Sequence, residues 1–171
     1  MSGATDVVIE IIANAFVELA SRMCECEKLK EIHLKDLELA KAADEIAKAV
    51  SDGREGEFGP VVIKIERKLL GRRMRVWLYG NETSADLLLS ELSKAKSRAA
   101  WIHSDCSENA LLELLYKYED RYLIEVIQRN FDKIKAVCRG EAPALDFGEA
   151  PAYVINGVME GLKLFLSRDS N

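Results

Sequence analysis

The side chains with the clearest chemical potential are concentrated in residues 60–80. This stretch holds Lys64, Arg67, Lys68, Arg72, Arg73 and Arg75 against one carboxylate, Glu66, together with Trp77 and Tyr79. Cations that hold phosphates, beside flat rings on which bases stack, are what a surface for single-stranded nucleic acid requires. The whole chain has 24 Lys and Arg against 29 Asp and Glu, a net charge of −5. Everything outside the stretch therefore carries about ten negative charges, which excludes a protein that coats nucleic acid with its entire surface.

Alternation in this stretch fixes where the cations point. Val61, Ile63 and Ile65 alternate with Val62, Lys64 and Glu66, and Met74, Val76 and Leu78 alternate with Arg73, Arg75, Trp77 and Tyr79. Two period-2 runs around Leu70-Gly71 predict a β-hairpin over residues 61–80. With the apolar set turned to the core, Lys64, Arg73, Arg75, Trp77 and Tyr79 share the outer face and form the candidate nucleic-acid-binding set. Two other readings fit the same residues. Lys and Arg protect sheet edges from aggregation, and the rings can cover a neighbouring helix or an acidic partner subunit.

A second constellation is Arg98-x4-His103, near the end of a helical stretch, Ser97-Arg98-Ala99-Ala100-Trp101-Ile102-His103. This pattern resembles the motif of the HEPN superfamily, helical-bundle proteins of which many are metal-independent ribonucleases acting as dimers. The resemblance implies His103 as the proton-transfer group and Arg98 as the stabiliser of charge on the scissile phosphate. The structural alternative is a histidine placed favourably at the negative end of a helix dipole.

Cys24-x-Cys26 and His103-x2-Cys106 together supply four zinc-type ligands, with His33 to spare. Buried thiols are the competing account. Cys24 and Cys26 lie too close on a helix for an unstrained mutual bridge, while a bridge from either to Cys106 or Cys138 stays open. Such thiols are reduced in a mesophile cytosol but can be bridged inside hyperthermophiles. The chain's lone glutamine, Gln128, amid abundant Lys, Arg and Glu, is the composition associated with a thermophilic source.

Other catalytic patterns are missing from the sequence. It has no phosphate-binding Gly-Lys-Ser/Thr loop and no nucleophile elbow, and Gly53, Gly56 and Gly59 sit among Asp52, Glu55 and Glu57, the wrong sign for a phosphate cradle. No cofactor is expected. The N-terminal region is acidic (Asp6, Glu10) and does not read as a secretory signal. Residues 7–19 are broken by Glu10, Asn14 and Glu18, too charged to span a bilayer. The expected location is cytoplasmic, with no membrane partner.

Five helices must position these groups. Thr5 or Asp6 caps the first, with Val8, Ile12, Ala15, Phe16, Leu19 and Met23 at helical spacing. The second covers about residues 36–50, and residues 52–60 read as a flexible connection to the hairpin. A third helix starts at Thr83 or Ser84 and carries Leu87, Leu88, Leu92, Ala95 and Ala99. The longest runs from Asp105 or Ser107 to about Cys138, ended by Arg139-Gly140. A loop over residues 139–151 leads to Pro151 and the last helix, with Val154, Ile155, Val158, Leu162, Phe165 and Leu166.

That last segment, Ala150-Pro151-Ala152-Tyr153-Val154-Ile155-Asn156-Gly157-Val158, is similar to a Pro-x-x-Ile-x-x-Gly-Leu helix of the small helical subunits of type III CRISPR effector complexes. The resemblance implies a non-catalytic subunit that stacks in a filament and contacts nucleic-acid backbone. Gly157 and Gly161, four apart, permit close helix approach within a monomer core or between subunits.

The expected protein is mainly α, one domain over residues 1–171: a five-helix bundle-like fold with an inserted two-stranded antiparallel hairpin. Its expected role is a non-catalytic nucleic-acid-binding or assembly subunit, with single-stranded nucleic acid and a protein partner or second copy as ligands.

Overall fold

The computed structural model describes residues 3–169. It contains two compact units: Met1–Leu29 with Ser104–Asn171, and Lys30–His103 between them in sequence. The chain is mainly helical, with one antiparallel sheet. No helix among the described residues is long and apolar enough to cross a membrane.

The unit built from the two ends of the chain starts with α1 (Gly3–Ile32). Ile12, Ala13, Ala15, Phe16, Leu19, Ala20 and Met23 give it a broad buried face. Against it lies α7 (Ala152–Asp169), which buries Val154, Val158 and Leu162. The close approach depends on two glycines. A Cβ on Gly157 would collide with Ile12, and one on Gly161 would sit 2.7 Å from the Ala13 carbonyl oxygen and 2.8 Å from Phe16 Cβ. The Gly157–Gly161 pair thus packs α7 on α1 within one chain.

The long helix expected up to Cys138 is instead broken. It consists of α4 (Glu108–Glu113), a 3-10 turn at Tyr116–Tyr118, α5 (Arg121–Arg129), α6 (Phe131–Ile134) and a second 3-10 turn at Lys135–Arg139. The break has local causes. Glu119 takes a left-handed conformation (φ 51°), and the Asp120 carboxylate then restarts the helix by accepting from the N–H groups of Tyr122 and Leu123, each at 3.0 Å. Apolar spacing continues across these breaks, so periodicity alone does not reveal them. Leu123, Val126, Ile127, Phe131, Ile134 and Val137 are all buried.

Two disulfides join this unit: Cys24–Cys138 and Cys26–Cys106. Residues two apart on a helix point about 200° away from each other, so Cys24 and Cys26 reach different partners. All four sulfurs are consumed, and the zinc arrangement considered from the sequence loses its thiolate ligands.

The Lys30–His103 unit is a sheet on two helices. Its helices are α2 (Leu34–Asp52) and most of α3 (Ala85–Cys106), and its strands are β1 (Gly56–Phe58), β2 (Val61–Lys68), β3 (Gly71–Leu78) and β4 (Asn81–Thr83), paired in that order. The expected two-stranded hairpin is therefore the centre of a four-stranded sheet. Residues 56–58, within the stretch read as a flexible connection, add β1, and residues 81–83, expected to lie beyond the hairpin, add β4. Both short strands escape notice because three residues are too few to display a period. Leu39, Ala43, Ile46 and Ala49 of α2 and Leu88, Leu92 and Ala95 of α3 pack on Val61, Ile63 and Val76, with Ile65, Met74 and Leu78 at the margin.

Candidate nucleic-acid interface

The sheet has one covered face and one open face, as the alternation predicts. Val61, Ile63 and Val76 are buried, so their neighbours Val62, Lys64, Glu66, Arg73, Arg75 and Trp77 point away from the helices. Lys64 and Arg75 are register partners on β2 and β3. Both stand over the Trp77 ring, Lys64 Nζ at 5.7 Å and the Arg75 guanidinium at 4.9 Å from its centroid. The structure thus brings Lys64, Arg75 and Trp77 together, with exposed Arg73 two residues further along β3.

Arg75 is already engaged by two carboxylates through three of its five N–H donors. Its Nε and Nη2 donate to the two carboxylate oxygens of Glu82, at 2.8 and 2.9 Å, and Nη1 donates to Glu66 at 2.8 Å. Glu82 is the register partner of Trp77, and Glu66 that of Arg73, so both reach Arg75 diagonally on the same face. Hydrogen bonds from Arg75 hold both carboxyls below the usual carboxylate range, and they push the Arg75 guanidinium up. Glu82 could not be assigned from the sequence because its strand could not.

Tyr79 is not on this face. β3 ends at Leu78, and Tyr79 (φ 49°) with Gly80 (φ 80°) forms the two-residue turn into β4. The positive φ swings the ring toward the start of α2. There its hydroxyl donates to the Lys35 carbonyl at 2.7 Å, and Lys35 Nζ lies 5.1 Å from its centroid. Partial burial, then the carboxylates Glu38 and Asp36, raise its pKa. The aromatic component of the candidate surface is Trp77 alone.

Beyond Ile65–Met74, whose side chains pack at the core margin and whose Ile65 N–H donates to the Glu55 carboxylate at 2.7 Å, the ribbon has no further strand beside it. β1 pairs with Val61–Ile63 and β4 with Val76–Leu78, so only β2 and β3 continue into the distal segment. That segment ends in Arg67, Lys68, Arg72 and Arg73, all exposed. No described carboxylate lies within 4 Å of any of these four or of Lys64.

Arg98 and His103 both lie on α3. An offset of five residues places them about 140° apart around the helix. The Arg98 guanidinium faces α2: Nη1 is 3.3 Å from His33 Nδ1, and Nε is 3.7 Å from Asp36, which itself lies 3.3 Å from His33 Nδ1. His103 is exposed in the last turn of α3. Among the described residues, no cluster of three or more His, Cys, Asp and Glu side chains has the arrangement of a metal site.

Comparison of the chain with protein-family profiles, with curated proteins and with solved structures finds no significant match in any of the three.

Proposed function

We propose that this chain is a non-catalytic nucleic-acid-binding or assembly subunit that grips single-stranded nucleic acid along the outer face of its β2–β3 ribbon. The observation that carries the reading is the segregation of charge on that ribbon. Lys64, Arg67, Lys68, Arg72 and Arg73 have no described carboxylate within ion-pairing distance, on a chain that is otherwise strongly acidic. Of these, Lys64, Lys68 and Arg73 lie on the outer face and are the phosphate ligands in this reading, Arg67 and Arg72 project from the other side of the ribbon, and Trp77 is the base platform. Arg75 shapes the surface rather than binding, because its charge is offset and its guanidinium held in place by Glu66 and Glu82.

The assembly half of the reading is supported by apolar side chains exposed along α1 and α7, namely Val7, Val8, Ile11, Met159 and Leu164. A cytoplasmic location goes with it. Two disulfides in such a protein belong to the cytoplasm of a hyperthermophile, where they are common.

Fluorescence anisotropy with a labelled single-stranded oligonucleotide at low salt tests the proposal. Three phosphate contacts on a single strand give a log–log salt slope of roughly −2, and Lys64→Glu with Arg73→Glu reduces affinity at least tenfold. No binding at low salt, or a double variant that binds like the wild type, overturns the reading. An oligonucleotide cleaved by the wild type and left intact by His103→Ala replaces it with a ribonuclease.

A further inference from the structure

The two residues at the tip of the ribbon are the least expected on the whole surface. Lys68 and Gly71 form the last register pair of β2 and β3, so Leu69 and Leu70 make up the entire turn. They are 103% and 99% exposed, the extreme among the large apolar residues. Two-residue hairpin turns favour Asn, Asp and Gly, for their backbone freedom, and solvent disfavours leucine there. Neither the turn nor the core accounts for these side chains.

Their setting indicates what does. The last pair packed against the core is Ile65–Met74, and three further pairs extend about 10 Å beyond it. Those pairs carry Arg67, Lys68, Arg72 and Arg73 immediately behind the leucines, with the carboxylate of Glu66 taken up by Arg75. We infer that Leu69 and Leu70 are a wedge that enters between stacked bases of a nucleic-acid duplex, while the four arm cations hold the flanking phosphates. Apolar wedges of this kind unstack base steps, and the cost is offset by the added phosphate contact. The inference rests on the proposed nucleic-acid reading and deepens it, because it names the unstacked base step at which the ribbon meets the nucleic acid.

An anionic membrane is the other surface that accepts leucines ringed by cations, and the distribution of charge argues against it. The cationic track does not stop at the tip. It continues back to Lys64, four residues or about 13 Å behind Lys68. A long, thin polyanion follows such a track, whereas a bilayer plane meets only its end.

The test uses a duplex carrying 2-aminopurine, whose fluorescence rises when it unstacks, together with the single-stranded oligonucleotide and vesicles containing phosphatidylglycerol. The variant is Leu69→Ser with Leu70→Ser, which touches no core residue, and circular dichroism verifies its fold. The expected result is a several-fold fluorescence rise with the wild type and none with the variant, while affinity for the single strand stays within twofold. Wild-type binding without unstacking, or equal unstacking by the variant, overturns the wedge and leaves the binding proposal standing. Failure to bind either nucleic acid overturns both. Leucine-dependent binding to the vesicles with no effect on the duplex assigns the tip to a membrane and overturns the wedge.

Discussion

Arg75 and Glu82 form a two-point ion pair across β3 and β4, Nε to Oε1 at 2.8 Å and Nη2 to Oε2 at 2.9 Å. A guanidinium held in this fork is a poor phosphate ligand, since its donors are already ordered by a carboxylate. Arg75→Ala is expected to change single-strand affinity by less than threefold while lowering the melting temperature. Arg73→Ala should do the reverse. Glu82→Gln releases some of the guanidinium's donors, and anisotropy should show tighter binding.

The same cluster sets a pH response. Glu66 and Glu82 have folded pKa values depressed by Arg75 below the ordinary 4.5. Their contribution to stability is therefore fully present above the unfolded value and is lost as pH falls through the lower folded values. A thermal-unfolding series below pH 5 should show the wild type losing stability more steeply than Glu66→Gln/Glu82→Gln. Equal slopes would mean that the ion pairs do not persist in solution.

At the other end of the pH scale, Tyr153 donates to Asp120 at 2.7 Å, and this hydrogen bond helps raise its pKa to about 12. A raised folded value means stability present below the unfolded value of 10.0 and lost as pH climbs toward 12. Tyr153→Phe should flatten that alkaline loss, read by circular dichroism.

Packing between α7 and α1 gives a steric prediction. Gly161→Ala drives a methyl into the Ala13 backbone, where no flexible side chain can yield. Overpacking of this kind costs about 1–3 kcal/mol, measurable as a shift in the denaturant midpoint. Gly80→Asn, by contrast, meets no neighbouring atom and carries only the strain of a side chain at φ 80°, so it should cost less.

Asn130 is the one buried polar side chain among the described core residues. Its amide donates to the carbonyls of Val126 (2.7 Å) and Asp146 (2.8 Å) and accepts from the Asp146 N–H (2.8 Å), tying the loop before α7 to α5. Asn130→Leu removes the partner of the Asp146 N–H and carbonyl, while the Val126 carbonyl keeps the residue-130 N–H, and should destabilise by about 1–3 kcal/mol. Hydrogen exchange at Asp146 should accelerate with it.

Much of this was legible in the sequence where period and environment agree. The inward set Val61, Ile63, Met74, Val76 and Leu78 follows directly from alternation, as does the outward set Lys64, Arg73, Arg75 and Trp77. Tyr79 departs because a strand's alternation ends with the strand, and Leu78 is the last residue of β3. β1 and β4 are held by their pairing rather than by any local pattern, and Glu82, which arrives on β4, was hidden along with them. The break at Glu119–Asp120 was readable in principle, because Asp120 is a good cap, but continuous apolar spacing concealed it. Arg98 was notable in the sequence for its distance from His103, whereas its partners in space, His33 and Asp36, are more than sixty residues away.

The Cys26–Cys106 bridge brings the Cα atoms of those residues to 5.6 Å, and residues 30–103 lie wholly between them in the chain. The whole ribbon-bearing unit is thus a detour that leaves and re-enters the helical unit at a covalent clasp. All four bridged cysteines lie outside residues 30–103, so both crosslinks fasten the helical unit alone and the ribbon-bearing unit is tethered through its two ends.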